Sequence, residues 1–536
     1  MLRERPEGSG EHAGAQCVRE EADMSRSTSF VASLAVTALG SGAFADEIRV
    51  PQQYPTVEVA EMAASPGDRI VVRGTLPDIV RLTAPGVTLD LTRARLESRL
   101  EVSADGAAIV GGRLRRGIRV IGRNVRLVGT KVTNAGSKSA AVPVPAIEIL
   151  ESGATLDAVR VRAPRNEWVD GVAGDGAGLT IRRSTFAGGT VGVHVTADDT
   201  DVSASRFTGQ KEAGVILEGD ASRVADSTFE RTPGTAIVGI GDGAEVVGNT
   251  VRGAAEAILA SGAGPTIEAN RVDATWTAID VSASGGATVR GNEVLCSGGA
   301  RGIRTRGDAV VLSDNVVRGE NADTSIHVEG DGCTVTGNTV ERSGRPAPGA
   351  MGSGILVRGN GAVVSGNGVS DTESGYYGVW TDGTDNEISA NQVTGCGSGI
   401  VVCGCRNLIA SNEVRDAGLD GIVVVGAESV VEDPDVAGAG RCGVLLYGAT
   451  QVVGGFVRGS GDGGIVALAD GSTVDACGLD RNRTGDVVAL ESCAVTGVDA
   501  DTRIVTDPAA VPELVEVRDA GFSPPWPVPF PVVAGD

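Results

Sequence analysis

A chain of 536 residues is long enough for three or four ordinary domains, yet 79 glycines and an aromatic content of 3% leave too few large side chains for several compact cores. Valine, isoleucine and alanine supply most of the apolar surface, which suits thin, regularly stacked β structure. The formal net charge of −23 disfavours nucleic acid and anionic membranes as partners, so a polyanionic ligand would need a local patch of arginine working against the global field.

Residues 1–45 read as an upstream extension plus a signal peptide. Met24 opens "MSRSTSFVASLAVTALGSGAFADE", with Arg26, an apolar run from Phe30, and Ala43-Phe44-Ala45 before Asp46. That is a basic start, a hydrophobic stretch too short to span a bilayer, and a small-x-small cleavage site. Residues 1–23 are polar and mixed in charge, so translation is expected to begin at Met24. No other segment approaches the ~20 apolar residues of a membrane helix. The expected mature protein is exported, to the periplasm or the extracellular space. The leader carries four arginines against six acidic residues, so its loss barely alters the charge.

Residues 46–75 read as an N-terminal cap and first strand. In "QQYPTVEVAEMAASPGDRIVVRG" (52–74), Thr56 can cap a short helix whose apolar stripe is Val57, Val59, Ala60, Ala63 and Ala64. A "PGD" turn then leads into a strand.

Residues 76–506 are repetitive. "GNTV", "ANRV", "GNEV", "DNVV", "GNTV", "GNGV", "ANQV" and "SNEV" place asparagines at 249, 270, 292, 315, 338, 367, 391 and 412, at intervals of 21 to 29 residues. Ser184, Ser205 and Ser227 hold the same slot upstream. A second motif runs in antiphase, a small residue followed by apolar-x-apolar, as in "GVHV", "GIRT", "SIHV", "GILV" and "GVWT". Together they mark about sixteen coils, each too short for a helix pair. A period of roughly 22 residues with short strands and turns predicts a parallel β-coil, its coils stacked ~4.8 Å apart in a rod of roughly 75 Å. Stacked asparagine amides close a tight bend, which makes those residues scaffold rather than catalyst. Residues 507–536 are proline-rich and nonrepetitive, a closing tail.

Cys17 belongs to the leader; Cys296, Cys333, Cys396, Cys403, Cys405, Cys442, Cys477 and Cys493 remain. An even count in an exported chain permits disulfides, with a pairing that spacing does not reveal. Copper or zinc is the alternative, but no histidine lies near these cysteines and no Cys-x-x-Cys pair occurs.

The repeat resembles that of the right-handed parallel β-helix, or pectate-lyase-like, superfamily, over about Ile48 to Arg503. The resemblance implies an all-β right-handed solenoid with a capping helix, because an open end exposes core and unpaired strand edge. It also implies sugar-chain binding on the outer face of one strand column, walled by loops. No specific enzyme family's catalytic set transfers. The "DPH" of alginate epimerases and the "GHG" and "RIK" of polygalacturonases are absent. "NEWVDG" (166–171) resembles a pectate-lyase motif but lacks its histidine.

Alternation along each apolar-x-apolar copy turns one residue outward, and stacking makes a column of neighbours ~5 Å apart. Arg119, Glu148 and His194 lead this column; Asp280, Arg304, His327, Leu356 and Trp380 form its middle; Val401, Val423, Leu445, Val466 and Val488 end it. A second outward slot holds Ser282, Arg306, Glu329, Arg358 and Asp382. Polar chemistry concentrates between Asp280 and Asp382, beside the longest insertions, Glu341–Ser353 and Asp371–Tyr377.

These residues suit an acidic polysaccharide. Arginine neutralises a uronate carboxylate and so acidifies the C5 proton, and an imidazole can remove it. The expected catalytic group is His327 with Arg304, Arg306 and Glu329, and the expected substrate contacts are Asp280, Arg358, Trp380 and Asp382. Expulsion of the 4-O-linkage would make a lyase; reprotonation from the other face, a C5-epimerase. Carboxylates two coils apart, at ~9.6 Å, offer an inverting hydrolase instead. Arg–Glu ladders that merely stabilise a solenoid are the structural alternative, and a non-catalytic binding or maturation module, resembling periplasmic β-helix proteins of copper-enzyme assembly, is the functional one. The residues require no cofactor; Ca²⁺ and the oligomeric state stay open.

Overall fold

The computed structural model describes residues 45–133, 145–163, 169–297, 301–319, 324–341, 352–371, 377–490 and 492–506. The leader, most of both insertions, Asn166–Trp168 and the tail lie outside the described residues. From Ala45 onward the chain winds as a solenoid with three short strands per coil. One representative coil comprises Val311–Ser313, Val316–Gly319 and Thr324–Glu329. Each strand pairs in parallel with its counterpart one coil on: Leu312 with Val335, Val317 with Val340, Ile326 with Ile355. The coil thus generates a first, a second and a third ladder.

Alternation dictates what fills the interior. In the third ladder Ile303, Ile326, Ile355, Val379 and Ile400 stack coil upon coil, all at 0% exposure. Each such burial contributes about 1.5–3 kcal/mol before ordering costs, and in a solenoid the terms add through nearest neighbours. Phe186, Phe207 and Phe229 do the same in the second ladder, as rings stacked 5.0 and 4.8 Å apart.

The bend between first and second strands explains the recurring asparagine. The residue before it takes a left-handed backbone, with φ of 63° at Gly291, 56° at Asp314 and 64° at Gly337, which glycine adopts without steric cost. The asparagine then turns inward. Asn315 donates from Nδ2 to Oδ1 of Asn338 at 2.9 Å and to the carbonyl of Val289 at 2.9 Å, and its Oδ1 accepts from the backbone N–H of Asn292 at 3.0 Å. The same pattern runs from Asn249 to Asn412, and the hydroxyls of Ser205 and Ser227 extend it upstream. These amides are buried and fully engaged, so the asparagines are scaffold. A second polar ladder, through Asn386, Asn407 and Ser429, lines the bend between third and first strands; it was not foreseen.

Two expectations are corrected. The solenoid has about 19 turns rather than sixteen, because the terminal coils, such as Val80–Leu82 and Leu100–Val102, lack the small-residue signature. The cap is a single turn, Val57–Glu61, with the Thr56 hydroxyl accepting from the Val59 N–H at 3.4 Å. It buries Val57, Ala60 and Glu61, whereas Val59 and Ala63 are exposed. Glu61 turns in because its carboxylate accepts from the backbone N–H groups of Thr83 and Ala84. All eight cysteines from Cys296 to Cys493 are free thiols rather than disulfides. Among the described residues no helix is long and apolar enough to cross a membrane.

Candidate functional site

The site is a stretch of the third ladder's outward face. Parallel register places Asp280 beside Arg304, Arg304 beside His327, His327 beside Leu356, and Leu356 beside Trp380. The second outward slot runs Ser282, Arg306, Glu329, Arg358 and Asp382 in the same order. The expected residues therefore do share one face of consecutive coils. The earlier part of the column also contains Ala173, between Glu148 and His194, which the motif search passed over.

At the centre, Nε2 of His327 lies 3.0 Å from Oε1 of Glu329, and Nη2 of Arg304 donates to Oε2 of the same carboxylate at 3.4 Å. Arg306 reaches back to Asp280, with both carboxylate oxygens at 3.3 Å. Arg358 has no ion-pair partner among the described residues. The Nε atom of Arg304 is buried with no hydrogen-bond acceptor.

The imidazole is not the solvated base expected from sequence. His327 is only 5% exposed. Burial pushes its pKa down to about 4; Glu329 opposes the shift, and Arg301, Arg358 and Arg304 reinforce it. The ring is therefore neutral at pH 7 and only weakly basic. Arg301 was missed because it opens the strand one residue before the Gly302–Thr305 motif, outside both outward slots, yet its charge acts on the His327 ring.

Two tryptophans near this face differ sharply in exposure. Trp380 is 9% exposed and meets Tyr377 edge-on, with ring centroids 5.2 Å apart, so it is a packed wall rather than an open platform for a sugar ring. Trp276 is 65% exposed, at the corner preceding Thr277, whose register partner is Arg301. Nothing in its local sequence distinguishes it. The hydrolytic pair is weakened as well, since Asp280 is held by Arg306 and Glu329 by Arg304. Among the described residues no group of three or more His, Cys, Asp or Glu side chains is arranged to hold a metal ion.

The profile of a family described as "Right handed beta helix region" matches residues 170–300 and 277–432, the segment that carries this face. The chain folds as a right-handed parallel β-helix. No curated protein matches it. Among solved structures, the β-helix is 13% identical to the periplasmic alginate epimerase AlgG, covering 86% of this chain and 84% of that one at a TM-score of 0.23. It is 10% identical to the PL6 family alginate lyase AlyGC, with 86% and 99% covered and a TM-score of 0.34. It is 13% identical to DFA-IIIase from Arthrobacter chlorophenolicus A6, with 74% and 95% covered and a TM-score of 0.31.

A smaller ionic cluster sits upstream on the same face of the β-helix. Arg99 and Arg119 both hold Glu148, and His194 lies 3.7 Å from Glu218. Asp170 nearby is buried, and its carboxyl is pushed up by that burial, against the pull of His194. It shows that ion pairing between coils is general in this β-helix, so pairing alone does not mark the Asp280–Asp382 zone. What distinguishes that zone is a buried neutral imidazole ringed by arginines.

Proposed function

We propose that the outward face between Asp280 and Asp382 binds an exported acidic polysaccharide through its carboxylates. The observation that carries this reading is the arginine set around His327. Arg301, Arg304 and Arg358 press on one buried ring within three consecutive coils, in a chain whose net charge is −23. Cations drawn together against the global field suit an anion. Arg304 carries a buried unpaired N–H, and guanidinium groups receive carboxylates in bidentate fashion. The exposed Trp276 supplies an apolar ring face at the margin of this zone.

A reaction follows from the same groups. A uronate carboxylate seated on these arginines loses its charge to them, which acidifies the C5 proton. The bound anion also cancels the arginines' share of the shift in the His327 pKa, leaving the larger share that comes from burial, so substrate binding makes the imidazole a somewhat better base. The imidazole takes the C5 proton. The electron pair left behind expels the 4-O-linked residue, giving a 4,5-unsaturated sugar, or collects a proton on the opposite face, giving the C5 epimer. One observation favours a second reading, binding without turnover: an imidazole with a pKa of about 4 is a weak base at neutral pH.

A panel of uronate polymers incubated with the wild type and with His327→Ala separates the two. Catalysis predicts new absorbance from an unsaturated product, or inverted C5 stereochemistry by NMR, lost in the variant. Retained binding with neither product establishes the binding reading, and absence of binding to every polymer ends both.

A further inference from the structure

The third ladder's outward face changes character beyond Trp380. Val401, Val423, Leu445, Val466 and Val488 occupy consecutive coils. Their exposures are 5% or less, and Val466 and Val488 are at 0%. With Leu356, Trp380 and Cys442 they form an apolar cluster separate from the interior core. The side chains packed against that cluster are Tyr377, Cys403, Val425, Tyr447, Leu468 and Val505. All six come from the third ladder's own strands or from the residue that follows one. A single layer of side chains on an open sheet face leaves its outer atoms wet. Five successive dry aliphatic residues require a second layer above them.

The chain carries a segment suited to that role. Val505 pairs with Val488, so the backbone leaves the third ladder at the end of this strip. Beyond it, Phe522–Val533 reads "FSPPWPVPFPVV", twelve residues without a charge that include Trp526, Phe530 and five prolines. Extended at ~3.1 Å per residue, twelve residues reach ~37 Å. The four steps from Val401 to Val488 need only ~19 Å. Proline has no N–H to add to a ladder, so such a segment is fitted to lie across a face through its side chains rather than to extend a sheet edge. In a chain of net charge −23, a long uncharged apolar stretch and a dry apolar strip are matched surfaces.

We propose that Phe522–Val533 docks along the apolar strip from Val401 to Val488 of the same chain. The docked segment covers the aliphatic end of the third ladder, so it bounds the polysaccharide-binding face on its C-terminal side. The docking itself rests on the strip alone and stands whether or not a sugar binds.

Photo-crosslinking of the full-length chain tests this. A benzophenone amino acid replaces Leu468, at the margin of the strip, and in a parallel preparation Val425, so that one misfolded variant does not end the experiment. A control probe replaces Phe456, which is 60% exposed on the second ladder. The strip probes should attach to a peptide within residues 507–536 in a product of single-chain mass, at least tenfold more than the control does. A product of two-chain mass, attachment only outside residues 507–536, or equal attachment from the control overturns the proposal.

Discussion

His327 and Glu329 stand two positions apart on one strand, both turned outward, with Nε2 of the ring 3.0 Å from Oε1 of the carboxylate. The contact is close, yet the buried Nε2 makes no hydrogen bond. Glu329 therefore acts on the ring mainly through its charge, and it is the one neighbour that favours the protonated form.

Removing that charge should lower the imidazole's pKa further. In Glu329→Gln, the His327 ring resonance followed by NMR should titrate below the value of about 4 held in the wild type. An upward shift would show that the Glu329 charge does not favour the protonated ring.

The same depression links stability to pH. The folded state holds His327 near pKa 4, whereas an unfolded chain holds histidine near ~6.5. Between these values the unfolded state binds more protons, so stability is fully present above pH ~6.5 and falls as the pH drops toward 4. The loss reaches at most about 3 kcal/mol. Urea midpoints of the wild type and of His327→Gln, measured from pH 7.5 to 4, should converge as the pH falls, because only the wild type carries this term.

The asparagine ladder makes a separate prediction. Asn315→Ala leaves the Asn292 backbone N–H without its acceptor and strips one donor each from the Val289 carbonyl and from the Asn338 amide oxygen, which keeps the residue 315 backbone N–H, all in a dry bend. Unpaired buried groups cost about 1–3 kcal/mol each, with part recovered by relaxation, so a loss of about 2–4 kcal/mol is expected. Asn315→Ser should lose less, because a hydroxyl serves the same slot at Ser205 and Ser227.

Arg358 separates binding from folding. Having no ion-pair partner among the described residues, it can be removed without orphaning an acid. Arg358→Ala should keep the wild-type urea midpoint within about 0.5 kcal/mol. Its affinity for an oligouronate should fall about tenfold or more, as expected for the loss of one charge-assisted hydrogen bond. Arg306→Ala, in contrast, strips Asp280 of its partner and should alter both.

The sequence made the register of the site legible because a two-residue alternation and the repeating asparagines together fix which side chain of each strand faces out. That is why Asp280, Arg304, His327, Leu356 and Trp380 fall in one column as expected. Burial was not legible, since it depends on what several coils and their connections put around a position. His327 and Trp380 look alike in the pattern to any exposed rung, and both are nearly dry, while Trp276, unmarked by the repeat, is the exposed ring. Arg301 escaped because it precedes the repeating motif and so falls in neither outward slot. The aliphatic run from Val401 to Val488 was visible as a change of chemistry, but not as a second buried cluster.

The central claim is that carboxylates are read by the arginines around His327. Calorimetric titration of the full-length protein with an oligouronate, and with the same oligosaccharide after reduction of its carboxylates to alcohols, addresses it directly. The account predicts saturable binding of the acid form, at least tenfold weaker in Arg304→Ala/Arg358→Ala and abolished on carboxyl reduction. Equal affinity for the acid and reduced forms, or an unchanged affinity in the double variant, would contradict it.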